Sequence, residues 1–155
     1  MTDVLLDLLD EAYDHRSWHG PNLRGSIRGL ALDTASWRPA PDRHNIWETV
    51  VHAAYWKYAV RRQLTGEKRG SFPLAGSNFW PRPTERTAAA WRLDVALLSQ
   101  QHRALWDVVA AFPRGRLARR PSGGPFTYAA LIRGAAAHDL YHAGQIQLLK
   151  RLASR

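Results

Sequence analysis

Between Thr127 and Leu152 the residues Leu131, Ala135, His138, His142, Ile146 and Leu149 follow one another at steps of three and four. That period is the mark of a helix with one face turned to a core. It also places two histidines on that face. The same stepping runs through Trp91, Val95, Leu98, His102, Leu105 and Val109, predicting a third helix from about Thr84 to Phe112. A second helix is expected from Asn45 to Leu64, where Ile46, Trp47, Val50, Val51, Ala54 and Tyr58 make it apolar nearly all round, with Gly66 as its stop. The first segment, residues 2 to about 30, opens on Val4, Leu5, Leu8, Leu9 and Ala12. The run Ser17–Pro21 should interrupt or kink it, because proline removes a donor and crowds the preceding turn. The stretch Trp37–Pro41 reads as a connection, and no strand-type alternation of any length occurs. The expected fold is therefore all-α, a four-helix bundle. Its distinctive feature is the connection Thr65–Pro83, about 20 residues, well beyond the usual helix–helix loop. In a bundle, such a connection lets the second and third helices run parallel.

The chain of 155 residues suits one domain over residues 1–155, and with 45% hydrophobic and 23% charged residues it has the composition of a folding chain. Cysteine is absent, which excludes disulfides, thiolate metal sites and cysteine nucleophiles, so a metal would be held by His, Asp or Glu. No apolar run reaches the roughly 18 residues of a membrane span. Asp3, Asp7 and Asp10 stand where a signal peptide would be basic, so a cytoplasmic location with no membrane partner is expected. The net charge of +9 invites a nucleic-acid reading, yet 19 of the 22 cations are arginine. Its two clusters, Arg61, Arg62, Lys68 and Arg69, and Arg114, Arg116, Arg119 and Arg120, fall at helix ends and connections. With no helix-turn-helix signature, a solvated basic surface is expected, and no specific nucleic-acid partner.

The histidines carry the chemistry. His138 and His142, four residues apart, stack on one helix face at the spacing that lets both bind one ion. The plainer alternative is two core histidines hydrogen-bonded to their neighbours. Burying them unpartnered would cost on the order of 1–3 kcal/mol each, which coordination would offset. His52 is the leading third ligand, since His44, Glu48 and His52 lie on one strip of the second helix about 80° wide. Three neutral imidazoles suit Zn, Ni or Fe, with Mn a further option, and leave positions open for water or substrate. Candidate catalytic groups are Asp139, Glu48 and His19. Asp139 could accept an imidazole N–H, or form an ordinary ion pair. Its place resembles that of the Glu in zinc-protease His-Glu-x-x-His helices, one methylene shorter. Trp18, His19, Trp47 and Tyr141 are candidates for a pocket mouth, although aromatics at helical spacing also fill cores. His44 could cap the second helix, and His102 could be a satisfied core residue or one in a second layer behind the ligands.

The stretch His138-Asp139-Leu140-Tyr141-His142-Ala143-Gly144-Gln145-Ile146, with His44-Asn45-Ile46-Trp47-Glu48-Thr49-Val50-Val51-His52 upstream, resembles the DinB-like family of four-helix-bundle metalloproteins over essentially the whole chain. The resemblance implies a cytoplasmic, often dimeric protein that binds a divalent metal, Zn or Ni foremost, through three histidines. Carried over, these are His52, His138 and His142. Some members are bacillithiol or mycothiol S-transferases or mycothiol-dependent isomerases, in which the metal lowers the pKa of a thiol cosubstrate. Three readings follow. The first is a metal-dependent transferase taking a small thiol and an electrophilic substrate. The second is a metal-dependent hydrolase assisted by Asp139 or Glu48. The third is a non-enzymatic binding module whose structural metal has a closed shell, with His102 or Glu48 as fourth ligand. Seven tryptophans are many for a domain of this size. A homodimer covering apolar area near the first helix, or near Phe72, Phe79 and Trp80, is therefore expected.

Overall fold

The computed structural model describes residues 2–154 and is all-helical, with no strand among the described residues. Four long helices, α1 (Thr2–Tyr13), α4 (Ile46–Thr65), α5 (Ala88–Ala110) and α6 (Tyr128–Ala153), form the bundle. Two short ones, α2 (Leu23–Ser26) and α3 (Leu32–Ser36), lie between α1 and α4.

Side-chain contacts give the directions. Trp47 donates its indole N–H to Asp94 at 2.7 Å, and further along α4 the Lys57 ammonium meets His102 Nδ1 at 3.2 Å. Contacts thus advance together along α4 and α5, and the two run parallel, as the length of their connection requires. Tyr13 at the end of α1 bonds Ser99, whereas Asp3 at its start pairs with Arg114 just beyond α5, so α1 runs against α5. Thr49 shares a cavity wall with Gln145 and Leu149, and Gln63 shares another with Ala130, so α6 runs against α4.

Local chemistry sets the helix ends. Asn45, not His44, caps α4: its side-chain oxygen accepts the Glu48 N–H at 2.8 Å while the Glu48 carboxylate reaches back to the Asn45 N–H, a reciprocal capping box. Gly66, at φ 76°, closes the other end. Thr87 caps α5, so that helix starts after the expected Thr84, and Thr127 caps α6 as its position suggests. The first segment breaks outright instead of kinking. α1 ends at Tyr13, and Leu23 starts a separate turn capped by Asn22, whose side chain accepts the Gly25 N–H at 2.7 Å.

The inward face of α6 is also displaced from the expected stripe. Its buried residues include Ile132, Ala135, Ala136, Asp139, His142, Ala143 and Ile146, while Leu131, His138 and Leu149 sit at the boundary. Asp139 is drawn fully inside by an ion pair with Lys57, itself 2% exposed. One apolar cluster spans Trp47, Tyr58, Phe72, Trp91 and Leu98, the other Leu9, Leu105, Val109 and Ile132. In the long connection Phe72 packs on Tyr55, Tyr58 and Trp80 and is buried, while Phe79 stacks on His52 of α4 and stays, like Trp80, half-buried. No described helix is long and apolar enough to cross a membrane.

Candidate metal centre

α4 brings His52, and α6 brings His138 and His142, to one point between them. His138 Nε2 lies 3.1 Å from His52 Nε2 and 3.0 Å from His142 Nε2, and the three donor atoms fall within 4.8 Å of one another. Among the described residues no fourth His, Asp or Glu joins the group.

The other ring nitrogens reveal the tautomers. His52 Nδ1 is 2.9 Å from the Asn78 carbonyl oxygen, and His142 Nδ1 is 2.7 Å from Gln145 Oε1. Both oxygens can only accept, so each Nδ1 carries the hydrogen and each Nε2 presents a lone pair to the centre. His138 Nε2 can carry at most one hydrogen and so can satisfy only one of its two neighbours. The remaining pair then faces lone pair to lone pair, an arrangement that a shared cation relieves. Two imidazole nitrogens on one tetrahedral zinc, each about 2.0–2.1 Å away, would stand about 3.3 Å apart, close to the spacings found here. The donor set therefore fits a divalent metal.

The rings are neutral. Burial pushes His52 down to about 4, helped by the neighbouring His142 and His44 and only partly opposed by its bond to Asn78. Burial, then His142, His52 and Lys57, pushes His138 down to about 3. Burial lowers His142 too, against the opposing effect of Gln145.

The long connection builds this site. Asn78, at φ 71° in the left-handed region that asparagine tolerates, turns its carbonyl to His52 and its side-chain oxygen to the Trp56 indole at 3.1 Å. Phe79 then stacks on His52 at 3.9 Å and on His44 at 3.6 Å between ring centres. A cavity of about 490 Å³ opens from the three histidines, walled by Pro39, Phe79, Tyr141, Leu148 and Leu149, with Arg43, Thr49 and Gln145 as its other polar side chains beside His44.

The remaining expected residues lie elsewhere. Glu48 is buried and occupied: it receives hydrogen bonds from Arg38, His44, Asn45 and Arg82. Burial alone would raise it, but the bonds from Arg38, His44 and the Arg82 N–H outweigh that and hold its carboxyl below the ordinary range. Asp139 pairs with Lys57 and bonds to neither histidine, taking the interhelical ion-pair alternative. His19 is exposed and Trp18 fully so, because the chain has left α1 before reaching them. Trp47 is buried on the α5 side of α4. Of the four proposed mouth residues only Tyr141 lines the cavity. His102 is a satisfied core residue, bonded to Lys57 and stacked on Tyr13 at 3.6 Å. Asn78, Phe79 and Gln145 were not foreseen. The one local hint was Gln145, which stands one turn after His142 on the same helix.

The family model for the DinB superfamily matches residues 15–146. Neither the search of curated proteins nor that of solved structures returned a match.

Proposed function

The chain belongs to the DinB superfamily, and from that premise we propose that it is a metal-dependent S-transferase, joining a low-molecular-weight thiol to an electrophilic small molecule. The observation that carries this reading is the convergence of three imidazole Nε2 atoms at the base of an open cavity, with no fourth His, Asp or Glu among the described residues. His52, His138 and His142 would hold the ion. A divalent cation of the kind that imidazole donors suit, Zn or Ni foremost, would supply undiminished positive charge there and so favour the deprotonated form of a thiol entering the open side. Asn78 and Gln145 fix the tautomers so that both Nε2 atoms stay available as donors. Pro39, Phe79, Leu148 and Leu149 exclude water from one side of the thiol, and Arg43 offers a counter-charge to an anionic group on it. In the reaction the sulfur bonds to the electrophilic carbon and the bond from that carbon to the leaving group breaks. The leaving group departs with the electron pair, and the thiol proton passes to solvent through the cavity mouth.

The hydrolase alternative is weakened because Glu48 and Asp139, the carboxylates it would use, are committed to Arg38 and Lys57. The closed-shell binding module lacks its fourth ligand, since neither His102 nor Glu48 joins the cluster. The test is turnover of 1-chloro-2,4-dinitrobenzene by the metal-loaded protein with a panel of small thiols. Thiol-dependent product is expected. Ester or amide cleavage without thiol, inhibited by added thiol, would replace this reading with the hydrolase.

A further inference from the structure

Between α1, α2 and α5 lies a cavity of about 450 Å³ that none of the three metal-site histidines lines. Four charged side chains border it, two of each sign: Asp10 and Asp14, Arg24 and Arg103. Two of them are already engaged. Asp14 meets the neighbouring His15 at 2.7 Å, and Arg103 pairs with Asp107 at 3.1 Å. Asp10 and Arg24 remain, both half-buried, and neither forms an ion pair among the described residues. Burial raises the Asp10 carboxyl above its ordinary range, with His15 and the Trp106 indole N–H only partly opposing it, as suits a carboxylate short of donors.

A third group is fixed in the floor. His102 is only 7% exposed, yet its ring lines the cavity. Lys57 satisfies its Nδ1 at 3.2 Å, and an ammonium can only donate, so the ring hydrogen sits on Nε2. That Nε2–H has no acceptor within the described residues, and the nitrogen is open to the cavity, not sealed behind it. A buried donor so placed calls for an acceptor.

The two signs occupy different ends. Burial raises the Tyr13 hydroxyl, and its bond to Ser99 and the charge of Arg24 oppose the rise, so Arg24 stands near Tyr13. Tyr13 in turn stacks on His102 at 3.6 Å. Arg24 and the His102 N–H thus form a donor end. Asp10 precedes Tyr13, and Trp106 follows His102, each by about one helical turn of roughly 5 Å, which puts Asp10 and Trp106 at the other end. A simple anion would leave Asp10 unmet, and a simple cation would leave Arg24 unmet. A guest carrying both charges close together meets both.

We propose that this cavity binds a small α-amino acid as its zwitterion, the carboxylate on the Arg24 guanidinium and the His102 Nε2–H, the ammonium on Asp10, and the side chain against Trp106. The site is independent of the metal centre and of the S-transferase reading.

The test is an NMR titration of the full-length, 15N-labelled protein at neutral pH with L-leucine, with 4-methylpentanoate, which lacks the ammonium, and with 3-methylbutylamine, which lacks the carboxylate. L-Leucine should bind saturably, shift the His102 Nε2–H and Trp106 indole resonances, and bind at least about tenfold more tightly than either analogue, as one charge-assisted hydrogen bond supplies. In Arg24→Gln, leucine should lose its advantage over 3-methylbutylamine while the amine binds as before. In Asp10→Asn it should lose its advantage over 4-methylpentanoate while that acid binds as before. Neither variant gives up an ion pair, so melting temperatures should change little. No saturable leucine binding, equal affinity for the three molecules, or leucine affinity unaltered in either variant would each overturn the proposal.

Discussion

His52 and His142 each place their Nδ1 hydrogen on a fixed oxygen, whereas His102 turns its Nδ1 lone pair to the Lys57 ammonium. The same residue type therefore serves two ends: the first two are oriented as donors to a cation, the third as an acceptor inside a buried polar layer. Burial, followed by the charge of Lys57, pushes His102 down to about 2. The sign of its effect on stability follows. The unfolded chain protonates His102 near 6.5 and the folded one does not, so stability is present above that value and is lost as pH falls toward 2. Between pH 7 and pH 5 this histidine alone should remove about 2 kcal/mol. Urea denaturation of the wild type and of His102→Gln at those two pH values checks this. The variant should lose less stability on acidification by about that amount, and an identical loss in both proteins would contradict the assignment.

At the scale of elements, α4 carries most of the architecture. Its capping box sits where Asn45 also donates to the Arg82 carbonyl at 2.8 Å, tying the helix start to the end of the long connection. Asn45→Ala should cost about 1–2 kcal/mol, at the upper end for an N-cap because this second bond is lost as well. Thermal melts followed by circular dichroism measure it, and an unchanged midpoint would count against the tie. The helices of the bundle were legible in the sequence because α1, α5 and α6 show an apolar face at a 3.6-residue period, and α4 is a long apolar run between Asn45 and the stop at Gly66. Other features were not. The period placed His138 on the buried stripe and left Asp139 beside it. The buried partner that rotates this face inward, Lys57, lies 82 positions away in the sequence. Asn78 and Phe79 carry no periodic signal. They matter only because the connection folds back over α4, a tertiary event that local pattern does not encode. The three ligating candidates could be read because helical spacing alone brings two of them together, and because helix two offered few other donors.

Across the whole molecule, parallel α4 and α5 force the long connection to cross the bundle, and that crossing lays Asn78 and Phe79 against His52. The loop length and the site are thus one feature seen at two scales. Of the seven tryptophans, Trp47 and Trp91 are buried, Trp37, Trp80 and Trp106 are half-buried, and Trp18 and Trp56 are exposed. With the connection's aromatics already packed, the proposed homodimer rests on Trp18 with Val4 and Leu8, which α1 leaves at 60% and 38% exposure. Sedimentation at micromolar concentration should show a species twice the 17.5 kDa of the chain, reduced to the monomer by Val4→Lys with Leu8→Lys. A 17.5 kDa species alone for the wild type would contradict it.

The central claim is that His52, His138 and His142 jointly hold one divalent ion, and elemental analysis of the metal-loaded protein tests it most directly. Wild type should retain about one ion per chain after extensive dialysis, and each of His52→Ala, His138→Ala and His142→Ala should lose most of it, because a two-histidine remnant binds far more weakly. Stoichiometric metal retained in all three variants, or a wild type that holds none after loading, would contradict the account.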